Sequence, residues 1–362
     1  MKIRLRENMF SDREQLFLED GELRAYLFRF ESGVCGIKLE NSLGYITVLP
    51  YQGQMVWDAV FRGRSLKMQN SCHFPRFRKE FRDTYGCYVM HCGILRMGCP
   101  SEQDTHPHHG ELPYVTYDEA AIVSGTDEKG RYLAVTGFYE YNKAFGDHYA
   151  ARPMTKLYAG SSLLDIILEV ENLGSAPMDI MYQCHINNAV EEGAKIYQTL
   201  PWDADHMVAR TSVPQYSEVN PKFLELLDRV EKDVKATRVI TEDDLYDPEV
   251  VMFLRNPIRD GKGYVHYLYR HLDGTADYTT YKADVLTCGV RWIVHHKDWN
   301  AMGMALPGTA EPEGYLAEKE KGNVRKLPGG QVFRSVITAG SLTAEEAEEK
   351  QQLIEKIMGE NN

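Results

Sequence analysis

The chain has 362 residues, of which 43% are hydrophobic and 26% charged, enough to bury a large core as one big β domain or two ordinary ones. Its 41 basic against 53 acidic residues leave a net charge of −12, which disfavours nucleic acid and anionic membrane as main partners. No stretch approaches the roughly 20 apolar residues of a membrane span, and MKIRLRENMF lacks the apolar centre of a signal peptide, so a soluble, cytoplasmic protein is expected.

In chain order, strand signals dominate. The run 44-GYITVLPYQGQMVWDAVFRGRSL-66 alternates, is broken at Pro50 and Gly53 and turns at Gly63, which reads as three short strands. The segment 131–141 is rich in aromatic and β-branched residues and reads as another. Segments 163–170 and 178–188, joined by ENLGSAP, read as a hairpin or as a strand passing between sheets. Segment 263–282 is a second hairpin, turning at Asp273-Gly274. Strands at 288–296 and 331–339 follow. This density of short strands predicts an all-β fold, a large antiparallel sandwich with few helices.

Two helices interrupt the pattern. Near 220–236, Asn220 caps, Pro221 suits the first helical position, and Phe223, Leu227, Val230 and Val234 make one apolar stripe. Its pairs Glu225/Arg229, Asp228/Lys232 and Glu231/Lys235 fall at i,i+4 on the solvent side. Near 343–359, Thr343 with Glu346 forms a capping box. No linker, repeat or low-complexity segment forces a boundary, so residues 1–362 read as a single domain with a helical insertion and a C-terminal helix.

The seven cysteines, an odd number without repeated CxxC spacing, do not read as a disulfide framework. Cys87, Cys92 and Cys99 have unequal spacing and apolar neighbours, which favours buried free thiols over zinc ligands.

Three segments carry possible chemistry. In 180-IMYQCHIN-187, strand parity puts Ile180, Tyr182, Cys184 and Ile186 on one face and Met181, Gln183, His185 and Asn187 on the other. His185 is then a partly exposed, hydrogen-bonded strand histidine or a proton-transfer group beside two amides. In 104-DTHPHHGELPY-114, His106, His108, His109 and Glu111 are either a polar loop between Pro107 and Pro113 or a divalent-metal site. In 295–324, Asp298, Glu311 and Glu313 are candidate bases and Trp299 offers a ring face. The run Glu318, Lys319, Glu320, Lys321 reads as a solvated mixed-charge face. No GxSxG, P-loop or GxGxxG in the right context supports serine hydrolysis or dinucleotide binding.

The order of these segments resembles a known family. Leu49-Pro50 with Gly53, then LRMGCP and HPHHGELP, then the strand with C-H-I-N, then P-G-T-A-E-P-E-G, is similar to the galactose mutarotase-like superfamily, in particular its uncharacterised aldose 1-epimerase branch. The resemblance runs from about Gly44 to Ala339, and LRMGCPSEQDTHPHHGELPY is its most specific part. It implies a β-supersandwich with a sugar site on a concave sheet face. It also implies a cofactor-free, metal-free interconversion of sugar anomers, in which a base takes the anomeric hydroxyl proton and an acid protonates the ring oxygen.

Carried onto this sequence, the resemblance makes His185 the general acid, His109 the histidine that holds sugar hydroxyls, and Arg96 a sugar contact. His108, Glu111, Asp298 and Trp299 join as further contacts. The family carries its basic glutamate in L-E-P, whereas here 305-ALPGT-309 puts Leu306 at that place. Glu311 is therefore the expected base, with Glu313 and Asp298 as alternatives. Two other readings stand beside this one: a metal-dependent sugar isomerase or lyase using His106, His108, His109 and Glu111, and a non-catalytic carbohydrate-binding protein. The expected partner in every reading is a small carbohydrate.

Overall fold

Residues 1–77, 80–83, 85–213 and 219–360 are described by a computed structural model. Among them, the strands form two antiparallel sheets, one of nine strands and one of thirteen. The smaller sheet runs Lys2–Leu5, Glu119–Asp127, Gly130–Asn142, His148–Tyr158, Leu163–Asn172, Val332–Leu342, Ala276–Lys282, Tyr264–Arg270, Lys195–Gln198. The part of the larger sheet that matters for the site is the succession Tyr246–Leu254, Cys288–His295, Asn300–Gly308, Met178–Ile186, Val89–Ile94.

Alternation explains why these strands pack as two layers. Leu164, Ile166, Leu168 and Val170 of the smaller sheet meet Ile180, Tyr182, Cys184 and Ile186 of the larger sheet in one buried cluster. Burying each aliphatic side chain of this kind contributes about 1.5–3 kcal/mol. The alternate residues of the larger sheet do not face water. Met90, Cys92, Met181, Val251, Val290, Trp292 and Leu306 form a second buried cluster on its other face, which Leu49, Met55, Tyr85, Cys87 and Met97 from adjoining loops help to cover.

The strand expectations hold at Gly44–Val48, Val56–Phe61 and Arg64–Ser65, and at the Tyr264–Arg270/Ala276–Lys282 hairpin. Leu163–Asn172 and Met178–Ile186 lie in different sheets, so ENLGSAP carries the chain between layers.

Helix α1, Pro221–Lys232, is capped by the Asn220 side chain, which accepts from the Lys222 N–H at 3.0 Å. It ends earlier than expected, at Lys232, and Val234 sits in a separate 3₁₀ turn, Val234–Thr237. Of the three i,i+4 pairs, Asp228–Lys232 forms at 2.6 Å, while Arg229 turns instead to Asp244. Helix α2, Tyr315–Glu320, carries the expected charge run, with Lys319, Glu320 and Lys321 exposed as expected but Glu318 fully buried. Glu318 accepts from the Glu311 N–H at 2.8 Å, Lys321 Nζ at 2.8 Å and Asn323 Nδ2 at 2.7 Å, which compensates the burial of a carboxylate. Helix α3, Ala344–Glu360, begins with the expected capping box, Thr343 N–H to Glu346 at 2.8 Å and Glu346 N–H to Thr343 at 3.2 Å. Among the described residues no helix is long and apolar enough to cross a membrane.

Candidate active site

A cavity of about 1030 Å³ opens on the outer face of the larger sheet. Its deep end is floored by Gln183 and His185 of Met178–Ile186, by Val290 and Trp292 of Cys288–His295, and by Glu249 and Val251 of Tyr246–Leu254. All six arrive by the same rule, since alternate residues of neighbouring strands share a face. Residues at the outer end, Glu80, Arg82, Pro107 and His108, are exposed.

His185 is the best-held group in the cavity. Its Nδ1 lies 2.6 Å from Asn187 Oδ1, and the Asn187 amide is oriented by its own Nδ2 donating to the Cys87 carbonyl at 3.0 Å. Nδ1 therefore carries the proton, and Nε2, 3.2 Å from the Tyr85 hydroxyl, is left as the acceptor. Trp292 stands against the imidazole edge-on at 5.2 Å between centroids. Burial pushes the His185 pKa down to about 4, and the Asn187 contact offsets only part of that. At neutral pH the group is a neutral imidazole.

Parity placed His185 on a polar face, but the residue is 4% exposed, not half-exposed, because the second apolar cluster closes over that face. The polar side chains there are the chemistry of a lined cavity, not of a wet sheet surface.

His109 reaches the same cavity from the loop. Its ring lies 5.6 Å from that of His185, nearly perpendicular, and 4.4 Å from Phe81. The loop is fixed to the sheet by His109 N–H to Gly98 O at 2.9 Å and Gly93 N–H to His109 O at 2.8 Å. Gly110 is required here: at φ +77° any Cβ would stand 2.1 Å from the Arg96 carbonyl oxygen. Burial is the main cause that holds His109 well below the usual imidazole range, with the nearby histidines and Arg210 acting in the same direction. His109 Nδ1 and Gln183 Nε2 find no hydrogen-bond partner among the described residues.

The other sequence candidates separate. His108 lines the cavity at its exposed outer end. Glu111 also lines it, with Oε1 accepting from Tyr149 OH at 2.6 Å and from the Leu95 N–H at 3.0 Å. Trp299 stacks parallel to Tyr85 at 6.1 Å on the cavity wall. His106 is turned away, its Nδ1 donating to the Pro107 carbonyl at 2.8 Å. Among the described residues no group of three or more His, Cys, Asp or Glu side chains is arranged to hold a metal ion, so the histidine-rich stretch is not gathered as ligands.

Glu311, Asp298 and Arg96 are not brought to His185. Glu311 is 3% exposed and does not line the cavity; Arg255 grips it at 2.5 and 2.9 Å, and Lys321 at 2.8 Å. Burial would raise its pKa, but those cationic hydrogen bonds prevail and hold it below the usual carboxylate range. Asp298 sits exposed at the turn between two strands. Arg96 lies over the Tyr315 ring at 3.5 Å and 3.5 Å from Asp179, outside the cavity. Leu306 does line the cavity, at the place where the resemblance would put a glutamate.

Sequence reading missed Tyr85, Glu249, Arg210 and Trp292. Glu249 accepts from Trp292 Nε1 at 2.6 Å and Arg210 at 2.5 Å, which sets a carboxylate one indole away from His185. Arg210 also lies 3.8 Å from Glu313, so that candidate meets the site through the arginine. The alternation in 246-YDPEVVMFL-254, with Asp247, Glu249 and Val251 on one face, was the available signal for Glu249. Of the cysteines, none is in a disulfide; Cys87 and Cys92 are buried, but Cys99 is only half-buried and lines the cavity.

Solved structures share this architecture. A candidate aldose 1-epimerase from Klebsiella pneumoniae superposes with a TM-score of 0.81 at 15% identity, covering 100% of this chain and 92% of that one. A galactose mutarotase-like protein from Clostridium acetobutylicum gives 0.59 at 12% identity, covering 90% and 100%. One from Lactobacillus casei gives 0.54 at 15% identity, covering 85% and 100%. At such identities the likeness concerns the fold, which is galactose mutarotase-like, the β-supersandwich expected from the sequence. No curated protein matches the chain. Residues 31–339 match the family described as "Domain of unknown function (DUF4432)", and the chain belongs to that family.

Proposed function

We propose that the protein is a carbohydrate-active enzyme of aldose 1-epimerase type, interconverting the anomers of a reducing sugar without a cofactor. The observation that carries this reading is His185, neutral, buried at the deep end of the cavity, with Nδ1 tied to Asn187 and Nε2 turned to the Tyr85 hydroxyl. Because Nε2 is an acceptor in this state, His185 serves as the base and not as the acid that the family resemblance implies.

The cycle runs through the pair. Nε2 takes the proton of the anomeric hydroxyl while the C1–O5 bond breaks, and the Tyr85 hydroxyl gives its proton to O5. The imidazolium then returns a proton to the phenolate 3.2 Å away, which restores both groups. Rotation of the C1 aldehyde followed by the reverse steps yields the other anomer. Glu249, oriented by Trp292 and Arg210, accepts from sugar hydroxyls, and His109 and Gln183 offer polar atoms across the ring. General acid–base assistance of this kind contributes typically 10²–10⁴-fold each.

Saturation-transfer NMR on a panel of reducing sugars tests the reading: exchange faster than in buffer supports it, and exchange at the buffer rate on every sugar defeats it. Leu306 in the cavity wall, where a glutamate is expected, favours one second reading, a non-catalytic carbohydrate binder. Tight sugar binding by calorimetry with no exchange would select it.

A further inference from the structure

Resting on the sugar-site reading above, we infer that this site is built for a reducing disaccharide: a second sugar ring occupies an outer subsite walled by Trp299. Three observations carry it. The first is size. A free hexose has about 12 non-hydrogen atoms, and at the ~30 Å³ that a water takes in the liquid it fills about 360 Å³ at most. The cavity is about 1030 Å³, which leaves most of it unfilled by one ring.

The second is the order of groups along the cavity. The proton-transfer pair lies at the closed end, where Gln183 is 1% and His185 4% exposed. Tyr85 touches His185 at 5.9 Å between centroids, and Trp299 stacks on Tyr85 a further 6.1 Å on, at 21° between planes. A reducing ring placed with C1 at His185 therefore leaves the Trp299 face to the next ring. Phe81, 5.0 Å from Tyr85 between centroids, extends the aromatic surface over His109 at 4.4 Å and His108 at 6.5 Å.

The third is the mixture of surfaces. The C–H face of a pyranose packs on an aromatic plane while its hydroxyl rim needs hydrogen-bonding partners. Near Trp299 the cavity supplies both, with His296, whose N–H donates to the Trp299 carbonyl at 2.9 Å, and Asp247, next to the Tyr246–His295 pair, among its polar lining. A purely apolar substituent would leave those groups desolvated without compensation, which argues for a sugar ring there.

Anomer exchange leaves the sugar unchanged, so equilibrium titration works on the active wild type. Maltose, cellobiose and lactose are compared with glucose and galactose by calorimetry. At least one disaccharide binding roughly tenfold or more tighter than either monosaccharide is expected. In Trp299→Ala, with folding checked by circular dichroism, that advantage falls below about threefold, and Trp299→Phe, which keeps a ring face, recovers it. Monosaccharides binding as tightly as every disaccharide would overturn the inference, as would Trp299→Ala weakening both classes by one factor, or no sugar binding at millimolar concentration. The proposed reaction fails separately, by absence of exchange, whatever the binding order.

Discussion

Nδ1 of His185 lies 2.6 Å from Oδ1 of Asn187, two residues farther along the chain, and both side chains are buried. This contact decides which imidazole nitrogen faces the cavity. Asn187→Ala removes it and frees the other tautomer, so kcat should fall about 10–100-fold with KM little changed. The stranded Cys87 carbonyl should cost about 1–3 kcal/mol of stability. Asn187→Asp keeps an acceptor and adds a charge, which raises the imidazole pKa and moves the acid limb of the rate profile upward. Steady-state kinetics with thermal melts check both variants; wild-type kcat in Asn187→Ala would defeat the role given to the contact.

Tyr85→Phe keeps the ring stack with Trp299 and removes only the hydroxyl 3.2 Å from Nε2. Loss of the proton donor to O5 should lower kcat about 10²–10⁴-fold while sugar affinity by calorimetry stays near wild type. An unchanged kcat would show that the donor is another group.

Glu249→Gln tests the carboxylate beside the indole. It loses a charged acceptor worth about 1.5–3 kcal/mol per hydrogen bond, so sugar affinity should drop about 10–100-fold; Trp292 and Arg210 bond different carboxylate oxygens, so the amide keeps an acceptor for one of them only. Calorimetric titration reads this directly, and undiminished affinity would remove Glu249 from the sugar site.

Glu311 offers the opposite pattern. Replacing it by Gln takes the shared carboxylate from Arg255 and Lys321, a loss of about 1–3 kcal/mol, since the two cations left behind are 41% and 34% exposed and water screens them. Denaturant unfolding should show that loss, while exchange per folded molecule persists. Abolished exchange in fully folded Glu311→Gln would return the base role to Glu311.

These cases show what the sequence could and could not tell. Period-two alternation revealed the strands and put His185 on the same face as Gln183, because side-chain direction in a strand depends only on parity. The HHG segment was legible because a glycine with positive φ pressed against Arg96 leaves a local trace. Burial of His185 was not legible, since the cluster that covers it is assembled from loops and strands far apart in sequence. Glu311 and Glu249 exchange expectations for the same reason. Which carboxylate meets Arg255 and which meets Trp292 is settled by strand neighbours, not by spacing. Glu318, read as solvated among charges, is buried because three donors converge on it from the adjoining turn and strand end.

Buried neutral histidines make the fold acid-sensitive. His91 and His185 both have pKa values lowered by burial from 6.5 to about 4. Between those values the unfolded chain binds more protons than the folded one, so stability is full above about pH 6.5 and is lost as pH falls toward 4. Each group contributes on the order of 3 kcal/mol to that slope. Thermal melts from pH 7 to 4 should show a falling midpoint, less steep in His91→Gln; a midpoint independent of pH would contradict the burial argument.

The most direct test of the central claim, that neutral His185 accepts the anomeric proton, is the pH dependence of kcat/KM for anomer exchange. With a base whose pKa is about 4, the rate should be flat from about pH 8 to 5 and decline only below that, and His185→Asn should remove the catalysed exchange at every pH. A rate that climbs as pH falls through this range, as an imidazolium acid requires, would contradict the account, and so would a midpoint near the ordinary imidazole value of 6.5.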